Sequence, residues 1–348
     1  PNQNKDDLKI PDIRLQRPKK IIIHDNFKKK LFFISCEYNL KKCSESNYNK
    51  NIKELKKIIE DSSKKITARK NKKKLKKIII KSNTSKKQFK KNVSIAKKHI
   101  ELGDIFQVVL SQRFEAKLQK KPLEIYKKIR KTNPSPFLYF INYDDFQIVG
   151  SSPEILVRVK DNKITIRPIA GTRPRGKNKQ KDNSLQKELL ADPKEISEHL
   201  MLLDLGRNDV GKFSETGTVK VDSQFKIEKY SHVMHIVSNV TGTLKKNSSL
   251  IDVLMSGFPA GTVSGAPKIR AMEIIDSLEK SKRKLYAGGI GYFSPKNNMD
   301  TCIALRTAIV KNNKVYIQAG AGIVADSNPE KEYQETLNKA KALIEASK

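Results

Sequence analysis

A chain of 348 residues, 37% hydrophobic and with 14 prolines, can bury a substantial core as one large or two smaller domains. No run approaches the ~20 apolar residues of a membrane span, and the polar opening PNQNKDD has no signal-peptide character. The formal charge of +34 raises nucleic acid or an acidic membrane as partners, but residues 1–100 alone hold 31 Lys and Arg against 9 Asp and Glu, mostly as lysine runs such as Lys72–Lys77 without interleaved aromatics for base stacking.

Abundant lysine, asparagine and isoleucine are what AT-rich coding produces, so neither a nucleic-acid nor a membrane partner is expected. In chain order, extended pieces at Lys20–Ile23 and Leu31–Ser35, joined by a polar turn at His24–Lys30, predict a hairpin torn from a larger sheet. Asn51 to Lys98 is helical, lysine-heavy and free of glycine, a surface helix or two with a connector. At Gly103 the texture changes. Gly103–Phe114 (GDIFQVVLSQRF) is rich in strand formers, and Gln107 either points into a site or pairs within a sheet. A helix at Pro122–Arg130 and the turn Asn133–Pro136 (NPSP) follow. Phe137–Tyr143, Phe146–Ser151, Ile155–Lys160 and Lys163–Pro168 then read as one antiparallel meander, with turns at Asp144-Asp145 and Asp161-Asn162. Glu154 sits at a strand end, facing a cleft or lying on an edge, and Arg167–Gly176 (RPIAGTRPRG) is a basic glycine turn.

The next stretch, Asp192–Asp209, organises the rest. Asp192 and Pro193 signal a helix start, and Ile196, Leu200 and Leu203 recur at helical spacing. Glu195 and Glu198 share one side of that helix, about 5–6 Å apart at Cβ, and repel unless a cation lies between them. Glu332 and Glu335 repeat the spacing near the C-terminus. The two pairs are either solvated faces or an oxygen cage for a hard divalent ion, with Mg²⁺ favoured if a substrate anion shares it. Between them, strands are expected at Thr218–Phe225 and Lys229–Val240, the second carrying His232 and His235. A helix at Ser249–Phe258 runs into Pro259–Lys268 (PAGTVSGAPK) and a helix at Pro267–Leu278, which is either an anion cradle at a helix N-terminus or a tightly packed loop. Strands at Gly288–Ser294, Thr301–Lys311 and Lys314–Gln318 lead into Ala319–Val324 (AGAGIV), a second set of amides without side chains. Arg306, in mid-strand, requires an anion if buried, from a substrate carboxylate or an internal acid. The three cysteines, Cys36, Cys43 and Cys302, form no CxxC pattern, which fits a reducing, cytoplasmic setting and argues against zinc.

Six stretches together resemble the chorismate-utilising enzymes, in that family's order and most closely in its anthranilate synthase large-subunit branch. They are Asp192–Asp209, Ile227–Ser238 (IEKYSHVMHIVS), Phe258–Asp276 (FPAGTVSGAPKIRAMEIID), Tyr286–Phe293 (YAGGIGYF), Met299–Thr307 (MDTCIALRT) and Gln318–Thr336 (QAGAGIVADSNPEKEYQET). Arg14–Phe33 is similar to the middle of the family's regulatory half, so the chain is expected to be N-terminally incomplete. The resemblance implies an α+β fold of large antiparallel sheets packed face to face with helices outside. It implies a regulatory remnant and lysine-rich connector at residues 1–100 and a chorismate-binding catalytic domain at 101–348.

By resemblance, Glu198 and Glu335 bind Mg²⁺ with Glu195 and Glu332 nearby, and the ion grips the ring carboxylate of chorismate. Tyr286, Arg306 and the glycines of the AGAGIV stretch, Gly320 and Gly322, fix the substrate's carboxylates, with Thr262, Gly171 and Thr172 around it. Glu154 is the general acid for the departing C4 hydroxyl, and His235 serves the lyase half. Isochorismate and salicylate synthases carry lysine at the position of Gln107, and aminodeoxychorismate synthase carries lysine at the position of Ala170. Gln107 with Ala170 therefore favours an anthranilate synthase, in which ammonia adds at C2 before pyruvate leaves. The ammonia is expected from a separate glutamine amidotransferase subunit (component II), and the pathway is that of tryptophan. Asn133, Pro134, Ser135 and Pro136 match half of the family's tryptophan feedback site, whose upstream LLES-like half is not found.

Overall fold

The computed structural model describes residues 4–38, 44–65, 79–230 and 233–348. They divide into two units, one of Pro11–Lys74 and one of Pro1–Ile10 with Leu75–Lys348. Cys43, His232 and the run Lys72–Lys77 lie outside the described residues.

In the smaller unit the expected hairpin forms from β1 (Lys20–Asp25) and β2 (Lys30–Ser35), with Ile21 opposite Ile34. The side chain of Asp25 accepts from the amides of Phe27 and Lys28, 3.0 and 2.9 Å away, which shapes the turn. Helix α1 (Glu45–Ser63) starts earlier than Asn51 because Ser44 caps it through the Asn47 amide, and it buries no residue.

The larger unit runs β3 (Lys81–Ser82), α2 (Lys86–Glu101), β4 (Gln107–Lys117), α3 (Pro122–Thr132), β5 (Phe137–Asn142), β6 (Gln147–Ser152), β7 (Ile155–Lys160), β8 (Lys163–Ile166), β9 (Ile169–Pro174), α4 (Lys179–Ala191) and α5 (Pro193–Gly211). It continues with β10 (Lys220–Lys229), β11 (Val233–Thr243), α6 (Leu250–Ser256), β12 (Gly265–Ala266), α7 (Lys268–Leu278), β13 (Gly289–Ser294), β14 (Asn298–Ile303), β15 (Thr307–Lys311), β16 (Lys314–Ile323) and α8 (Pro329–Ser347). One antiparallel sheet has the order β10-β11-β8-β7-β14-β13, with β9 also on β11. The other has the order β12-β4-β16-β15-β6-β5, with β3 on β4. This is the expected α+β fold.

Helices cover the sheets through their apolar stripes. Ile125 and Ile129 of α3 and Leu343 of α8 pack on Phe114, Val149 and Ile317, while Phe89 of α2 and Ile274 of α7 pack on Val108 and Leu110. Leu203 and Val210 of α5 pack on Val157, Ile164 and Val240. Each such side chain contributes about 1.5–3 kcal/mol by leaving water. Gln107–Phe114 is buried without interruption because β4 is covered on both faces. In α5 the buried side is His199, Leu202, Leu203, Gly206, Asp209 and Val210, whereas Leu200 is 41% exposed, against the expectation from its spacing.

Two corrections locate the site. The expected single meander is two hairpins in different sheets, since β6 pairs β5 and β15 while β7 pairs β8 and β14. The expected strand Thr301–Lys311 breaks between β14 and β15, where Arg306 takes a φ of +46°, unfavourable for a residue with a side chain. Local propensity does not encode which distant strand a segment joins, so both breaks were hidden. At each break the chain crosses from one sheet to the other, and the crossings lie side by side. The Ile303 amide donates to the Glu154 carbonyl at 3.0 Å, the Ser152 hydroxyl to the Ile303 carbonyl at 2.6 Å, and the Ser151 amide to the Arg306 carbonyl at 3.2 Å. Strand β16 runs beyond the expected Gln318 to include AGAGI, and Ile169–Pro174 of the basic turn is strand β9.

Candidate active site

Glu154 and Arg306 stand on the two crossings. Glu154 is 8% exposed, and the Thr262 hydroxyl, from a 3-10 turn at Gly261–Val263, donates to its Oε1 at 2.9 Å. Burial pushes its pKa up to about 7, against the lowering pull of Thr262, Lys339 and Arg306. Arg306 has no hydrogen-bonded or ion-paired carboxylate among the described residues; burial lowers its pKa while Glu154 and Tyr230 raise it. Its guanidinium is thus held ready for an anion.

His235 comes from β11, opposite Thr172 of β9. Its Nδ1 lies 3.0 Å from the Gly171 carbonyl and 3.1 Å from the Thr172 hydroxyl. A carbonyl only accepts, so Nδ1 carries the proton and Nε2 keeps its lone pair. Burial pulls its pKa down, with Arg306 adding to that effect, so the ring is neutral near pH 7. Gly171 has a φ of +68°, and a Cβ there would come within 3.1 Å of Glu195 Oε2.

Tyr286, Gly320, Gly322 and Gln107 form a neighbouring wall. A Cβ on Gly320 would lie 2.7 Å from Tyr286 Oη, and one on Gly322 would lie 2.6 Å from Gln107 Nε2. Burial pushes Tyr286 up to about 12 and keeps it protonated. Gln107 Nε2 donates to Glu198 Oε1 at 3.4 Å, while its buried Oε1 has no partner among the described residues. Ala170 of β9, opposite Ile236, offers no nucleophile.

Asp192 caps α5 by accepting from the Lys194 and Glu195 amides, as expected. Glu198 has its pKa raised by burial, then by Glu195, with Glu335 adding to the repulsion; Glu332 is raised by burial and by Glu335. The two pairs from distant parts of the chain therefore feel one another. They do not close into a cage: among the described residues no three acidic, His or Cys side chains are placed to hold a metal ion. Arg173 takes Glu195 at 2.9 Å, together with Glu188 and Asp192, and Lys339 takes Glu335 at 2.6 Å. The chemistry of Glu198 and Glu332 is nonetheless compatible with a hard divalent ion, because burial and a neighbouring like charge push both carboxyls up, and an added cation would relieve that.

Arg173 and Lys339 were not singled out from the sequence. Lys339, which also donates to the Gly320 carbonyl at 3.1 Å, is four residues beyond Glu335 and was legible as a helical pair. Arg173 was not legible, because its three partners depend on β9 lying beside α5. The NPSP turn joins α3 to β5, and the Asn133 carbonyl accepts from the Ser151 hydroxyl at 2.7 Å.

Comparison with known proteins gives a consistent picture. The chorismate binding enzyme family matches residues 1–345. The chain is 47% identical over 349 residues to anthranilate synthase component 1 of Cereibacter sphaeroides, covering all of this chain and 70% of that protein. It is 48% identical over 353 residues to anthranilate synthase component 1 of Acetivibrio thermocellus, covering 99% of this chain and 71% of that protein. The crystal structure of anthranilate synthase component I from Streptococcus pneumoniae superposes with a TM-score of 0.85 at 42% identity, over 93% of this chain and 72% of that one. The chain belongs to the chorismate binding enzyme family.

Proposed function

We propose that this chain is the chorismate-converting component of anthranilate synthase, a carbon–oxygen lyase in which ammonia adds at C2 of chorismate, the C4 hydroxyl departs, and pyruvate is then eliminated to leave anthranilate. The observation that carries the reading is the side-by-side placement on the two sheet crossings of a buried acid, Glu154, and a cation, Arg306, that has no paired carboxylate among the described residues. Glu154 gives its proton to the leaving hydroxyl, a role that requires the raised pKa it has. Arg306 and the protonated Tyr286 hold the substrate's carboxylates, and Gly320 and Gly322 leave room for them against Tyr286 and Gln107. Gln107, with a free acceptor beside Glu198, orients an N–H donor such as ammonia, whereas it cannot activate water as a lysine would. His235, neutral with a free Nε2, moves the proton of the elimination half.

Mg²⁺ would be held by Glu198 and Glu335, with Glu195 and Glu332 beside them, and would supply positive charge at the ring carboxylate. Ammonia comes from a separate glutamine amidotransferase subunit, residues 101–348 carry the chemistry, and tryptophan acts as feedback inhibitor near Asn133. We place the enzyme in the cytoplasm, which agrees with the lack of a helix long and apolar enough to cross a membrane among the described residues. Purified chain given chorismate, Mg²⁺ and ammonium should form blue-fluorescent anthranilate. Product confined to aminodeoxychorismate or isochorismate rejects the reading.

A further inference from the structure

Behind the site wall lies a polar hub built on Arg283, whose side chain is only 16% exposed. Its Nε donates to Glu279 Oε2 at 2.9 Å, and its Nη2 donates to Glu279 Oε1 at 2.6 Å and to the Val109 carbonyl at 2.6 Å. Its Nη1 donates to the Val263 carbonyl at 2.7 Å, and the guanidinium carbon lies 5.5 Å from the centre of the Tyr286 ring. Glu279 Oε1 also accepts from the amide and hydroxyl of Ser111, both at 2.8 Å. Three elements that each present a site residue therefore meet on one guanidinium. Val263 follows Thr262, Val109 shares β4 with Gln107, and Tyr286 belongs to the wall around Gly320.

We infer that Arg283 is a positioning residue for the reaction: its fork ties the Val263 carbonyl and the Tyr286 ring to β4, and so holds the Thr262 hydroxyl on Glu154 and the Tyr286 hydroxyl beside Gly320. The inference rests on the anthranilate synthase reading. Only arginine fits this place. A lysine retains the charge facing Glu279 but has no planar fork to satisfy two carbonyls and both oxygens of a carboxylate at once.

The test compares wild type, Arg283→Lys, Thr262→Val and the double variant in ammonia-dependent anthranilate formation across pH 6–9, with Tm measured for each. The donated bond from Thr262 favours ionised Glu154, so Thr262→Val should move the high-pH limb of kcat upward. Arg283→Lys should move it the same way, lower kcat at least ~10-fold and raise KM for chorismate, and adding Thr262→Val should move the limb no further. Lys339, Arg306 and Tyr230, the other groups facing Glu154, are unchanged in every variant. Arg283→Gln combined with Glu279→Gln removes both buried charges together, so it reports on the limb even if Arg283→Lys does not fold. A lowered Tm with the limb at its wild-type position, or shifts that add in the double variant, would make the hub purely structural and overturn the inference. Wild-type chain that forms no anthranilate overturns the functional reading and this inference with it.

Discussion

Replacing Glu154 with glutamine should weaken the enzyme and strengthen the protein, and the two effects share one cause. Burial lifts the carboxyl from 4.5 to about 7. At about 1.4 kcal/mol per pKa unit, holding it ionised in the folded chain costs roughly 3 kcal/mol. The sign follows from proton counting. Between pH 4.5 and 7 the folded chain keeps a proton that the unfolded chain has released, so stability falls as pH rises through this window and stays reduced above it. Glu154→Gln keeps the shape and the contact with Thr262 but removes the titration. At pH 8 the variant should be more stable by about 3 kcal/mol, a Tm gain of several degrees on the scale of about 2–4 °C per kcal/mol. Near pH 4 the difference should vanish. Its kcat should fall by roughly 10²–10⁴ for want of the general acid. Scanning calorimetry at pH 5 and pH 8, beside the fluorescence assay, reads both. A variant that is less stable than wild type at pH 8, or as active as wild type, would refute the assignment of Glu154 as a buried acid.

Further expectations concern the neighbouring groups. Glu198→Gln should abolish turnover, and saturating Mg²⁺, which should stabilise wild type by about 2.7 kcal/mol at 100 times its Kd, should leave the variant's Tm unmoved; an equal Mg²⁺ shift in both removes Glu198 from the ion site. Arg306→Ala should leave folding stability within about 1 kcal/mol of wild type, because among the described residues no carboxylate pairs with it, while kcat/KM for chorismate falls roughly 10- to 100-fold; unchanged steady-state kinetics would contradict its role. Gly322→Ala places a Cβ 2.6 Å from Gln107 Nε2 and should raise KM for ammonium more than KM for chorismate, as saturation curves for each substrate would reveal.

How far these groups could be read in advance depended on whether their partners were local. The start of α5 is written in Asp192 and Pro193, and the side-by-side spacing of Glu195 and Glu198 follows from helix geometry alone. The six stretches that resemble the family already carried Thr262, Arg306 and Tyr230, three of the groups that face Glu154. By contrast, the sheet crossings at Glu154 and Arg306 depend on pairings between strands about 150 residues apart, to which propensity and alternation are blind. The buried run Gln107–Phe114 left Gln107 undecided for a related reason, since a strand covered on both faces loses its alternation. The cations that occupy Glu195 and Glu335 illustrate both cases: Lys339 sits within reach on the same helix as Glu335, while Arg173 reaches Glu195 of α5 from strand β9.

Groups brought together from the two crossings and two distant helices should act on one molecule of chorismate. Quantifying both products when purified chain is incubated with chorismate, Mg²⁺ and ammonium tests this most directly. Anthranilate and pyruvate appearing in equal amounts, with both lost on Glu198→Gln, is the predicted result. An aminated or hydroxylated product that accumulates without pyruvate, or turnover that survives Glu198→Gln, would contradict it.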